Sequence, residues 1–214
     1  MPASILVTFA VKEEARPFQR RLADAPHIRT IVTGMGRQNA GRTTINALET
    51  ARPDVLITAG FAGGLDPALP LGSVIFEADE TFPFISELLA AGARVGRFHC
   101  AERIVITAAE KRTLRTSTGA DALEMESEII RTLCRNRGIR AATVRVVSDA
   151  ANEDLPLDFN ALVTADGRPR PLPFALALLR KPHKIAELIR FQKRISAAAE
   201  RLAEVLVKCC RPHF

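Results

Sequence analysis

Apolar and polar positions along the chain fall into short segments of two kinds. Ser4–Ala10 (SILVTFA) is a continuous apolar run, the pattern of a strand buried on both faces. Ile28–Thr33, Asp54–Ala59, Ser73–Phe76 and the β-branched run Ala141–Val147 also read as strands, and further strands are expected at Glu102–Thr107 and near residue 120. VKEEARPFQRRL, after the first strand, has a helical pattern with acids in its first turn. A second helix opens at Glu126, where Ile129, Ile130 and Leu133 recur at helical spacing, and Gly138 is placed to close it as a C-cap. Asn152–Arg170 is rich in Pro, Asp and Asn, holds an A-D-G turn, and reads as a long loop. A short helix is expected at Phe174–Leu179. From Pro182 a long helix follows, with Ile185, Leu188, Ile195, Leu202 and Leu206 on one stripe. Strands alternating with helices predict one α/β domain over residues 1–214, with a largely parallel central sheet, in which 152–214 form a loop and a C-terminal helical extension packed on the rest.

Composition narrows the class. With 214 residues, 47% of them hydrophobic, the chain can bury one sizeable core. No apolar run approaches the roughly 20 residues of a membrane span, and MPASILV lacks the charged start of a signal peptide, so a cytoplasmic protein is expected. The four cysteines show no metal-ligand spacing, and no metal site is expected. Net charge is +6, which reads as a basic surface. Tyr and Trp are absent and no aromatics interleave with the basic residues, so a nucleic-acid partner is not expected. The basic tail Arg168–Arg194 is expected to pack on the core; weak contact with an anionic membrane surface is the rival reading.

The chemistry-bearing residues gather just past strand ends. Asp149 ends VRVVSD, Glu126 stands in LEMES, and Glu14 follows the first strand. In an open parallel sheet that edge is where ligands bind. Each feature also has a plainer reading: Glu13 and Glu14 suit a helix N-terminus, and Gly34 and Gly36 suit a tight strand-to-helix turn. Gly60–Gly64, within GFAGG, reads as a loop whose backbone N–H groups face an anion or a ligand hydroxyl.

AGFAGGL, LEMES and VVSDAAN, in that order and spacing, resemble the purine nucleoside phosphorylase and methylthioadenosine nucleosidase superfamily from the first strand to about residue 150. The resemblance implies a twisted mixed sheet, partly closed into a barrel and flanked by helices, and cleavage of a nucleoside N-glycosidic bond with water or phosphate. It gives Asp149 the role of general acid to the base, oriented by Ser148. Glu126 would hold the ribose hydroxyls, with Met125 on the sugar, and Glu14 would position the attacking water. Gly36, Gly60, Phe61, Ala62 and Gly63 would line the substrate site, and no cofactor is implied beyond phosphate as a co-substrate. Ala59 and Phe61 stand where relatives often place a serine or arginine, which weakens a phosphate site; Arg37 and Arg145 remain as anion ligands. DPALPLG, TAAEK and the tail GRPRPLPFALALLRKPHK are most similar to a hopanoid-associated branch linked to removing adenine from an adenosylated triterpenoid lipid. An apolar 5′ pocket would then draw on Phe61, Phe82 and Phe84. The resemblance also implies a homo-oligomer, a dimer or larger. A nucleoside-binding protein without turnover is the reading from another class, though a mere binder has no need of both Glu126 and Asp149.

Overall fold

The computed structural model describes residues 3–22, 25–162, 164 and 184–210. Three apolar strands form its centre: β1 (Ile5–Phe9), β3 (Val55–Gly64) and β8 (Arg140–Asp149). Their side chains alternate between two helical layers, as the strand period of two demands. Ile5, Val7, Phe9, Val55, Ile57, Val144 and Val146 face one core, and Leu6, Leu56 and Ala141 the other. Burial on both faces explains why these strands read as unbroken apolar runs.

The remaining strands are β2 (Ile28–Val32), β4 (Val74–Ala78), β5 (Arg94–Val95), β6 (Phe98–Cys100) and β7 (Ala122–Glu124). The main path runs β2-β1-β3-β8-β4-β5, with β7 joined to β3 and β6 to β7. The β1–β2, β1–β3, β3–β8, β4–β5 and β6–β7 ladders are parallel, whereas β3–β7 and β4–β8 are antiparallel, so the sheet is mixed. No ladder joins β5 to β6 among the described residues; the chain steps from one to the other through Gly96 and Arg97.

Helices cover both faces. On one side lie α1 (Lys12–Arg21), α3 (Ile85–Ala90) and the long α7 (Ile185–Cys210), whose Ala198, Leu202, Val205 and Leu206 enter the larger core. Opposite are α2 (Gly36–Thr50) and α5 (Ser127–Arg135), with Leu48, Ile130 and Cys134 buried between them and the sheet. Helices α4 (Ala108–Thr118) and α6 (Phe159–Leu162) complete the chain order. Among the described residues no helix is long and apolar enough to cross a membrane.

Several expectations change. Glu102–Thr107 forms no strand. Asn160 grips Ile104 with its side-chain amide, through Nδ2 to the carbonyl and Oδ1 to the N–H, and Leu155 N–H donates to Ile106 O. These bonds engage the backbone of Ile104 and Ile106 without a ladder, and the neighbouring strand is β6 instead. Gly60–Gly64 is not a loop but the end of β3, because β7 and β8 pair with it on either side. Gly138 lies beyond the end of α5, whose C-cap is Asn136. Phe82 and Phe84 form an edge-to-face pair inside the core, 5.6 Å between centroids, and line no substrate cavity. The A-D-G turn, the Phe174–Leu179 helix, and the tail from Arg168 to His183 lie outside the described residues.

Candidate active site

A cavity of about 420 Å³ opens where the C-terminal ends of β1, β3 and β8 meet β7 and the first turns of α7. It brings Glu14, Phe61, Ala62, Gly63, Met125, Glu126, Ser148 and Asp149 onto one wall system. Asp149 and Glu14 arrive as the parallel strands predict. Glu126 arrives differently, because β7 runs antiparallel to β3 and carries LEMES inward from the opposite direction.

Glu14 is held by three backbone donors. Its Oε2 accepts from the N–H groups of Ala10 and Val11 at 2.9 and 3.1 Å, and Oε1 from Phe61 N–H at 2.8 Å. A carboxylate has about four lone-pair sites, so one, on Oε1, remains for a ligand. Burial raises its pKa, against the opposing pull of Arg145 and the three N–H groups. The Phe61 donor, read as part of an anion-binding loop, is thus committed to Glu14. Gly60 is obligatory here: a Cβ would lie 2.6 Å from Glu14 Oε1 and 2.9 Å from Arg145 Nη1.

Arg145, 2% exposed, faces Gly60 across the β3–β8 ladder and is surrounded by acids. Its Nη2 donates to Glu124 Oε2 at 2.8 Å, to Thr58 Oγ1 at 3.3 Å, and reaches Glu126 Oε2 at 3.4 Å. Burial lowers the guanidinium pKa, but Glu124, Glu126 and Glu14 outweigh it and the net direction is up. The guanidinium is therefore the counter-ion of three buried glutamates, which corrects its reading as a phosphate ligand. Arg37 is also displaced from that role: it pairs with Glu128 at 2.6 Å on the exposed surface and does not line the cavity.

Glu124 went unnoticed in the sequence, since an acid ending a short strand reads as a surface residue. Its Oε2 accepts from the N–H groups of Glu126 and Ser127 and its Oε1 from Ser127 Oγ. Burial pushes its pKa up, but Arg145 and these donors overcome burial and hold it below the ordinary value. Glu126 is less compensated. Gly36 N–H donates to its Oε1 at 2.8 Å, which is the use the structure makes of the turn at Gly34 and Gly36, both with positive φ. Burial, with Glu124 and Glu14 adding to it against Arg145 and Gly36, raises the Glu126 pKa to about 7.

Asp149 sits where the β3–β8 register shifts between Ala62 and Gly63. Such a bulge re-aims side chains, and here it turns both Ser148 and Asp149 to the cavity wall. Ser148 Oγ lies 2.7 Å from Asp149 Oδ1 and 3.2 Å from Ala62 O. Lys111 Nζ donates to Asp149 Oδ2 at 2.5 Å, with Lys111 fully buried. Nothing in the sequence reading singled out Lys111; the available signal was its place three residues after the buried Ala108 on one face of α4.

Apart from Glu13, Glu124 and Gln192, the rest of the cavity is apolar. Ile104, Val105, Leu155, Phe159, Leu188, Phe191 and Ile195 line it, and the Phe159 and Phe191 rings stack 5.6 Å apart. Arg194 lies over the Phe191 ring and makes a two-bond bridge to Glu153 at 2.6 and 2.9 Å. Among the described residues no group of three His, Cys, Asp or Glu side chains is placed to hold a metal ion.

Known proteins share both the sequence pattern and the fold. A 5'-methylthioadenosine/S-adenosylhomocysteine nucleosidase of Shewanella halifaxensis is 26% identical over 183 residues, covering 70% of this chain and 79% of its own. The corresponding nucleosidase of Campylobacter jejuni superposes with a TM-score of 0.71 at 17% identity, over 98% of this chain and 99% of that one. Futalosine hydrolase of Helicobacter pylori superposes with a TM-score of 0.69 at 14% identity, over 96% of each chain. The phosphorylase superfamily model matches residues 5–80 and 85–180, and the chain belongs to that superfamily.

Proposed function

We propose that this protein is a nucleosidase that cleaves the N-glycosidic bond of an adenine nucleoside carrying an apolar 5′ substituent, with water as the nucleophile. The observation that carries this reading is a single cavity lined by two kinds of acid, Asp149 backed by Ser148, and the Glu14–Glu126 pair around Arg145. Glycosidic cleavage passes through an oxocarbenium-like transition state, which needs a proton for the leaving group and negative charge near the sugar. Asp149 is the proton donor to the base. Glu126 accepts hydrogen bonds from the ribose hydroxyls, and Met125 packs on the sugar.

Water is favoured over phosphate on electrostatic grounds. A phosphate dianion requires arginine or a dense nest of free N–H donors. Here three buried glutamates share one guanidinium, and the backbone donor at Phe61 already serves Glu14. The open acceptor site on Glu14 Oε1 suits a water proton. Bond C1′–N breaks with its electron pair leaving on the base, which takes the proton of Asp149; the water oxygen bonds C1′, and Glu14 takes the proton that water loses. The relatives that act on 5'-methylthioadenosine and S-adenosylhomocysteine support an adenine nucleoside. Phe159, Leu188, Phe191 and Ile195 support a long apolar 5′ group, of which an adenosylated hopanoid is an example.

Incubation with 5′-methylthioadenosine and with 5′-alkylthio homologues in phosphate-free buffer, with both products identified, tests this. Free adenine and the free sugar are expected, with KM falling as the alkyl chain lengthens. Activity that is zero without phosphate and saturates with it, yielding a sugar 1-phosphate, overturns the choice of water. Tight binding without release of base overturns the enzyme reading.

A further inference from the structure

Lys111 is buried in full, and all three of its ammonium protons are used: Asp149 Oδ2 at 2.5 Å, Ala150 O at 2.8 Å and Glu153 O at 3.0 Å. A buried ammonium with complete hydrogen bonding is a fixed donor, costly to dislodge. The other oxygen of Asp149 is in a different situation. Ser148 has one hydroxyl proton and two acceptors in reach, Asp149 Oδ1 at 2.7 Å and Ala62 O at 3.2 Å. With Asp149 ionised, the hydroxyl donates to Oδ1. With a proton on Oδ1, the hydroxyl turns to Ala62 O and every group stays satisfied. Oδ2 has no such alternative, because Lys111 must donate to it in both states.

We propose that Lys111 is a positioning residue for departure of the base: it pins Oδ2 of Asp149 and so assigns proton transfer to Oδ1, the oxygen backed by Ser148. This inference rests on the nucleosidase reading above. In the step, the C1′–N bond breaks, its electron pair goes to the base, and the water oxygen bonds C1′ while losing its proton to Glu14. The proton on Oδ1 moves to a ring nitrogen of the base, Asp149 becomes a carboxylate, and Ser148 swings back to donate to Oδ1. Both oxygens of the new carboxylate then accept a hydrogen bond, one from an ammonium, so the charge formed at Asp149 is met by donors already in place. The Lys111 proton is not consumed. Its bonds to Ala150 O and Glu153 O also fix the chain just after Asp149, the segment whose Glu153 side chain holds Arg194 beside Phe191.

The test compares two substrates that differ in whether the leaving group needs a proton: 5′-methylthioadenosine and 4-nitrophenyl riboside. Wild-type protein is assayed first; wild-type cleavage of neither substrate refutes the nucleosidase reading itself. Given wild-type activity, Lys111→Met is expected to lower kcat on the nucleoside by about 10²-fold, within the range for loss of general-acid assistance. Its KM should stay within about threefold, and its rate on the nitrophenyl riboside should stay near that of wild type. Equal loss on both substrates would mean that Lys111 serves only the fold, and loss on neither would mean that it serves nothing in the reaction; either result overturns the proposal. Because Lys111→Met leaves a buried carboxylate unpaired, the double variant Lys111→Met/Asp149→Asn, which removes both charges, is compared with Asp149→Asn alone. Groups acting as one unit are not additive, so the two should cleave the nucleoside at the same rate within about threefold. A further tenfold loss in the double variant would show that Lys111 acts independently of Asp149.

Discussion

Replacing Glu126 with Gln should make the protein more stable, and only at higher pH. Glu126 has a pKa raised from 4.5 to about 7, chiefly by burial, with Glu124 and Glu14 adding to it. A carboxyl group that binds its proton more tightly in the fold than in the unfolded chain favours folding at low pH. That advantage is complete below pH 4.5 and disappears as pH rises through about 7. The gap between the two values corresponds to roughly 3 kcal/mol. For a chain of this size each kcal/mol moves Tm by about 2–4 °C, so the full effect is about 6–12 °C. Glutamine has nearly the same shape, and its amide oxygen can still accept from Gly36 N–H, but it does not ionise. The quantity to measure is the Tm of Glu126→Gln minus that of wild type, by scanning calorimetry at half-unit steps from pH 5 to 9. Subtracting in this way removes any constant loss of packing or hydrogen bonding. The difference should climb by about 5–10 °C over that range, most steeply between pH 5 and 7, and level off above pH 7, while nucleoside cleavage by the variant falls. A difference constant to within about 2 °C across that range would refute the claim that burial and neighbouring acids govern this carboxyl.

Gly60→Ala should cost about 1–3 kcal/mol, the usual range for overpacking, and lower Tm by roughly 2–12 °C, because its Cβ would meet Glu14 Oε1 at 2.6 Å; thermal unfolding checks this, and an unchanged Tm would refute it. The same variant should cleave nucleoside at least about tenfold more slowly, since Glu14 must move to make room. Phe191→Ala should raise KM about tenfold for a long 5′-alkylthio nucleoside, the equivalent of losing contact with about two methylenes, yet leave KM for adenosine within twofold; steady-state kinetics on both substrates would expose an equal effect as a defect of fold. Glu153→Gln breaks a bridge to Arg194 whose side chains are each 32% exposed, so it should change stability by at most about 1 kcal/mol; a drop in Tm beyond about 4 °C would show that the bridge is structural.

What the sequence made legible follows from how each residue is buried. β1, β3 and β8 were visible because helices cover both their faces, which forces unbroken apolar runs. Asp149 and Glu14 were visible because parallel strands deliver their C-terminal residues to one edge. The direction of β7 was not, since three residues carry no periodicity and its antiparallel course depends on β3. GFAGG read as a loop because glycine disfavours strands, yet these glycines are strand residues kept small for their neighbours. A Cβ at Gly63 would meet Asp149 Oδ2 at 3.1 Å and one at Gly64 would meet Asp149 O at 3.2 Å. Glu124, Lys111 and Arg145 could not be read correctly because a charged residue gives no local sign that its partner is distant. Lys111 and Asp149 are 38 positions apart, and Arg145 lies 21 from Glu124. Phe159 and Phe191 escaped for the same reason, being joined only by the return of α7 across the cavity.

Helix α7 has the geometry of a lever. Its C-terminal half is clamped among β-strands and α1 through Ala198, Leu202 and Leu206, while Leu188, Phe191 and Ile195 project along the cavity wall. At 1.5 Å per residue, Leu188 stands about 15 Å from a pivot at Ala198, so a tilt of about 5° there moves it by roughly 1 Å. A packing change deep in the core therefore reaches the cavity wall enlarged, with no altered residue touching the ligand. Enlarging Ala198 to Val should accordingly alter the ratio of KM values for short and long 5′ groups before it alters kcat. Under the proposed function, selection for a different 5′ group has a route through the core, and the acids assigned to the chemistry need not change.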